Sequence, residues 1–114
     1  RVGCAVALSG RKVVVFGGYL RGALNTTEVC DLETMSFSVG PNMLTARFGC
    51  VAIAVDQDRI LVVGGIDSSD NFLTTTEVLD MNTMAFTQGP NMLQKRAACA
   101  VVALDARRVL VIGV

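Results

Sequence analysis

Three segments of this chain open alike and continue alike. Arg1-Val2-Gly3-Cys4, Arg47-Phe48-Gly49-Cys50 and Arg96-Ala97-Ala98-Cys99 each lead into an apolar run, a polar turn and a second apolar run that ends on glycine. A unit recurring at 46 and then 49 positions is a supersecondary building block that hides its apolar faces against its neighbours. The length differences fall in two places. Arg1 to Gly17 is 16 steps, whereas Arg47 to Gly64 and Arg96 to Gly113 are both 17. Gly17 to Glu28 is 11 steps and Gly64 to Glu77 is 13, while the count from that Glu to the next Arg is 19 both times. Two tolerant surface loops on a rigid unit account for this pattern.

Each unit reads as four short strands. The first, over 4–8, 51–55 and 100–104, is apolar at successive positions but rich in small residues, as expected of a strand crowded on both faces. The second, over 13–16, 60–63 and 109–112, is β-branched and bulky and forms a hairpin with the first. The third carries Thr27-Glu28-Val29 or Thr76-Glu77-Val78. It ends in Asp31-Leu32-Glu33-Thr34 or Asp80-Met81-Asn82-Thr83, tight turns in which the Asp carboxylate can accept a backbone N–H. The fourth centres on Phe37 or Phe86, and Gly40-Pro41 or Gly89-Pro90 then closes the unit, since Pro cannot extend a central ladder. No segment has helical periodicity.

These landmarks, in this order, resemble the kelch repeat, one blade of a β-propeller: Val13-Val14-Val15-Phe16-Gly17-Gly18, then Thr27-Glu28-Val29, Asp31-Leu32-Glu33-Thr34, Phe37 and Arg47-x-Gly49, all repeated in the second unit. The chain departs from the family in having Cys30 and Leu79 where Tyr is usual, Phe37 and Phe86 where Trp is usual, and Cys4, Cys50 and Cys99 in place of a frequent His. The third double glycine stops at Gly113-Val114. The resemblance implies an all-β fold of antiparallel four-stranded blades, here an open arc of about two and a half blades. The expected divisions are blade 1 over 1–46, blade 2 over 47–95 and a partial blade 3 over 96–114. With only the first hairpin of a third blade, the chain is expected to be a segment of a longer protein, the remaining blades being partners of this one.

Ten basic and ten acidic residues cancel, and no block of like charge stands out, so neither a nucleic-acid partner nor a membrane surface is indicated. No apolar run approaches the roughly 18 residues needed to span a bilayer. The four Cys make neither a paired framework nor a Cys-x-x-Cys spacing, which favours reduced thiols and a cytoplasmic setting. Against this stands Asn25-Thr26-Thr27, an acceptor pattern for glycosylation and the sole support for an extracellular, adhesive reading. There is no His in the chain, so three Cys at matching places read as small core residues instead of metal ligands. No cofactor or metal is implied. Met35, Met43, Met81, Met84 and Met92 are expected to fill gaps between blades.

Gly17, Gly18, Gly64 and Gly65 lack the following helix and Gly-Lys-Ser/Thr of a phosphate loop and read as strand-end packing. Glu28 and Glu77 recur identically, as a repeated structural hydrogen bond would, whereas a catalytic pair needs differing environments. Together with Phe37 and Phe86 these form the structural motif.

In an up-and-down meander the loops 19–25 and 66–74 share one end of the blade with Arg1, Arg47 and Arg96. That end is the candidate partner-binding face, and it comprises the three Arg with Tyr19, Arg21, Asp67, Asp70, Asn71 and Phe72. The planar guanidinium donors would suit carboxylates of a protein or peptide partner. In the alternative reading, each Arg ties one blade to the next through backbone carbonyls. The functional expectation is a non-enzymatic protein-interaction module. The alternative is a fragment of a propeller enzyme, such as the copper radical oxidases or sugar-processing enzymes that some kelch proteins resemble, with catalytic residues outside this segment.

Overall fold

The computed structural model describes residues 1–97, 100–105 and 107–112, and among them every regular element is a strand. β1 (Ala5–Ser9), β2 (Lys12–Phe16), β3 (Thr27–Asp31) and β4 (Ser36–Val39) form one antiparallel sheet in chain order. β5 (Val51–Ala54), β6 (Arg59–Val63), β7 (Thr76–Asp80) and β8 (Ala85–Gln88) form a second, and β9 (Ala100–Asp105) pairs with β10 (Arg108–Ile112) in a third. The first strands of the three sheets are neighbours, β1 against β5 and β5 against β9, so the sheets are set side by side as an open series. Among the described residues no helix is long and apolar enough to cross a membrane.

Register repeats with the sequence. Val15 stands opposite Glu28 and Val13 opposite Cys30 in the first sheet; Val62 stands opposite Glu77 and Ile60 opposite Leu79 in the second. The hairpin turns are held as their sequences require, Asp31 Oδ1 accepting from Glu33 N at 2.9 Å and Asp80 Oδ1 from Asn82 N at 2.8 Å. At that same end Ser9 Oγ donates to Gln57 O at 2.9 Å, joining the turns of neighbouring sheets.

The core is the layer between the first two sheets. Ala5, Ala7, Val14, Phe16 and Val29 of one face meet Ile60, Val62, Leu79 and Phe86 of the other. Phe16 and Phe86 meet edge to face with ring centroids 6.2 Å apart. Met43, Met81 and Met84 fill around this layer as expected, but Met35 is exposed. The reason is positional. Met84 and Phe86 face the preceding sheet, whereas Met35 and Phe37 occupy the same places in the first sheet, whose outer side nothing described covers. Phe37 is accordingly 62% exposed and Phe86 9%.

The same cause corrects the expectation that the first strands are crowded on both faces. In β1, Ala5 and Ala7 are buried, but Val6 and Leu8 point outward and are exposed. Cys4 and Cys50 each sit just before their strand, after glycines in the left-handed region (Gly3, φ 68°; Gly49, φ 66°). Cys99, Gly113 and Val114 lie outside the described residues.

Candidate functional site: the loop end of the blades

The double glycines mark where one blade receives the next. Gly18 N donates to Arg47 O at 2.9 Å, and Gly65 N donates to Arg96 O at 2.8 Å. Gly17 and Gly64 adopt φ of 60° and 64°, and a Cβ on either would run into the carbonyl oxygen of Arg47 or Arg96 respectively. Both the handedness and the close approach require glycine there. The small Cys side chains complete the crossing, Cys4 against Gly18 and Cys50 against Gly65. Burial pushes the Cys50 thiol up to about 11.

From this crossing the Arg47 side chain runs inward. Its Nη1 donates to Gly64 O (2.9 Å) and Thr75 O (3.1 Å), and its Nη2 to Thr75 Oγ1 (3.3 Å) and Glu77 Oε2 (2.7 Å). Glu77 also accepts the backbone N–H of Leu44 (2.6 Å) and of Thr45 (3.1 Å), so this carboxylate ties the closing segment of the first blade to the second. Arg47 is 0% and Glu77 1% exposed. The expectation of Arg47 as a partner contact is therefore corrected: its guanidinium is spent inside, on two backbone carbonyls and a buried carboxylate. Arg1 repeats the arrangement, with Nη1 to Gly17 O at 2.9 Å and Nη2 to Glu28 Oε2 at 3.2 Å, but in the open, where the Glu28 side chain is 46% exposed. Arg96 is half-buried; its N donates to Leu73 O and its O accepts from Gly65 N, the backbone roles that Arg47 plays with Leu24 and Gly18.

The topology does bring the loops and the blade entries to one end. Val2 and Tyr19 exchange backbone hydrogen bonds (3.3 and 2.7 Å), as do Phe48 and Ile66 (3.0 and 2.8 Å). The Tyr19 and Phe48 rings pack edge to face, centroids 5.0 Å apart, across the boundary between the first two blades. Around them Val2, Leu20 and Phe72 are exposed. Leu20 and Ile66 lie in the loops that the sequence assigns to this end, whereas Val2 and Phe48 are not among its candidates. Their signal was positional: an apolar residue follows each Arg and each double glycine, and the two positions pair.

The polar candidates divide. Asp67 shapes its own loop: its Oδ1 accepts Ser69 N (2.9 Å) and Asn71 N (3.0 Å), and the Asn71 N–H, foremost among the loop's donors, holds its carboxyl below the usual range. Asp70 and Arg21 occupy left-handed positions at their loop tips (φ 64° and 58°), exposed to solvent like Asn71 and Phe72. The end is thus an aromatic and aliphatic patch with Arg21 on one loop and acidic residues on the other. Among the described residues, no three His, Cys, Asp or Glu side chains gather to hold a metal ion.

A sequence model of the kelch motif matches residues 1–44 and again 47–93, following the two four-stranded sheets. The chain belongs to the kelch-repeat family. A protein of Arabidopsis thaliana named for an F-box and kelch repeats is 33% identical to it over 70 residues, 60% of this chain. The matched stretch is 18% of that relative's length, so the kelch chain spans a small part of it. Kelch repeats are typically protein-interaction modules, and the four-stranded sheets are its blades.

Proposed function

We propose that this kelch segment binds a protein or peptide partner at the loop end of its blades, through Tyr19, Phe72 and the neighbouring Val2, Leu20 and Phe48, with Arg21, Asp70 and Asn71 at the margin. One observation carries the reading: apolar and aromatic side chains from loops and blade entries converge at the end that carries the long loops between the second and third strands, and several stay exposed. Exposed apolar clusters rimmed by polar residues mark interaction sites, and aromatic residues with Arg are enriched in them. With Arg47 buried, the face is aromatic and not Arg-lined, so the favoured partner presents apolar or aromatic side chains in place of a run of carboxylates. The F-box in the relative's name agrees with a recognition role in an adaptor, and the reading is non-enzymatic.

The test is selection of peptides from a random display library on the immobilised chain. Selected peptides should be rich in apolar and aromatic residues and should lose binding to a Tyr19→Ser/Phe72→Ser chain of unchanged melting temperature. Peptides that are acidic, or that bind this variant as before, would sink the proposal.

A further inference from the structure

The ion pair that joins the two four-stranded blades leaves one hydrogen-bonding place on each partner. A guanidinium carries five N–H donors in a rigid plane. Four of those on Arg47 are engaged, Nη1 with Gly64 O and Thr75 O, Nη2 with Thr75 Oγ1 and Glu77 Oε2. The fifth, on Nε, is buried and has no acceptor among the described residues. Glu77 accepts from Leu44 N at Oε1 and from Thr45 N and Arg47 Nη2 at Oε2, three of the four hydrogen bonds a carboxylate can take. A buried donor without a partner is costly, and a group that supplies the acceptor recovers that cost.

Beside the pair lies a pocket of about 130 Å³ walled by Leu44, Thr45, Arg47, Thr75, Glu77 and Gln88. These walls come from the segment between β4 and β5 and from β7, the residue before it and β8. Nε–H and one N–H of Nη2 share an edge of the guanidinium plane, and the acceptors of Nη2, Thr75 and Glu77, are both pocket walls. The spare donor is thus on the pocket's side. At about 30 Å³ for each water-sized atom, the space suits a group of about four heavy atoms. Leu44 and Gln88 are exposed, which gives entry from solvent.

The free positions select the ligand. The charges of Arg47 and Glu77 cancel, so an anion drawn to Nε meets the carboxylate and a cation drawn to Glu77 meets the guanidinium. What fits is a neutral group with an acceptor for Nε–H beside a donor for Glu77 Oε1. A carboxamide carries both on one carbon.

We propose that this pocket binds a carboxamide, from a free small amide or from an Asn or Gln side chain of a partner. Its C=O accepts from Arg47 Nε and its NH2 donates to Glu77 Oε1. The pocket is at the loop end but on the β7 and β8 side, apart from the Tyr19 and Phe48 rings, and uptake of a free amide does not depend on that patch.

The probe is acetamide, titrated into the isotope-labelled 114-residue chain while the Arg47 Nε–H and the Leu44 and Thr45 amide resonances are followed. A saturable shift is expected, with a midpoint in the millimolar range open to a ligand of about four heavy atoms. Acetate, the same shape with a charge, should bind at least about tenfold more weakly. The tripeptides Ala-Gln-Ala and Ala-Glu-Ala separate the sources: a shift by the Gln peptide and not the Glu peptide assigns the pocket to a side chain, a shift by acetamide alone to free amides. Arg47→Lys keeps the charge and lacks Nε, so the Leu44 and Thr45 amides should no longer respond; should that chain fail to fold, Gln88→Trp at the pocket's exposed rim makes the same test. No saturable shift by any amide, as for a pocket that holds water only, overturns the proposal. So does an equal shift by acetate, or a response that the substitution leaves unchanged.

Discussion

Glu28 and Glu77 are the same residue in the same place in two blades, paired with equivalent Arg residues, Arg1 and Arg47, and differ in what covers them. Replacing each by Gln removes one negative charge and little volume. At Glu77 the change leaves the fully buried Arg47 guanidinium without its counter-charge and puts an amide where the Leu44 and Thr45 N–H groups require two acceptors. Removing one partner from a buried pair costs about 3–5 kcal/mol. At Glu28 the ion pair is longer, 3.2 Å, and its carboxylate 46% exposed, so the loss is at most about 1 kcal/mol. Urea unfolding followed by circular dichroism measures both against the parent. With a urea slope of about 2 kcal/mol per molar, Glu77→Gln moves the midpoint down by about 1.5–2.5 M and Glu28→Gln by under about 0.5 M. Equal shifts, or a Glu77→Gln shift as small as that of Glu28→Gln, would refute the argument that cover by a neighbouring blade sets the strength of the pair.

Phe86→Ala should destabilise by about 3–5 kcal/mol by hollowing the interblade core, whereas Phe37→Ser should fall within about 0.5 kcal/mol and, by removing an exposed ring, leave the chain less self-associating than the parent when the two are compared by sedimentation. Cys50 should resist a thiol reagent at pH 8 in the folded chain and react on unfolding, since burial raises its thiol to about 11; rapid labelling at Cys50 itself in the native protein, located by peptide mass mapping, would contradict this. Asp67 titrates below its unfolded value of 3.8, so what it adds to loop order is fully present above about pH 4 and is lost as pH falls through the depressed native value. The Ser69 and Asn71 amide resonances should report an inflection below 3.8; one at or above it would be inconsistent with the hydrogen-bonded loop.

The fold was legible because its signals are local. Double glycines, Asp-led turns and alternating β-branched strands each state a backbone conformation within a few residues, and the repeat supplies the order. What depended on neighbours was not. Phe37 and Phe86 are indistinguishable in sequence, yet one faces solvent and the other Phe16, because only the second blade is backed on that side. Val6 and Leu8 are outward for the same reason. Arg47 was readable either as a rim donor or as an interblade tie, and depth decided it: the chain carries it inward to Glu77, a contact 30 positions away. The loop-end patch was half-seen. Tyr19 and Phe72 stand out beside polar loops, whereas Val2 and Phe48 acquire their meaning when paired across the end with Tyr19 and Ile66.

The direction of the Glu77 contact has a consequence for how such a chain is made. The amides this carboxylate needs, Leu44 and Thr45, precede it in sequence, and so does Arg47. A ribosome, delivering the amino end first, thus exposes each blade's docking ground before it releases the carboxylate that must land there. Every new repeat meets a finished template, and assembly can advance in step with translation without waiting for residues still to come.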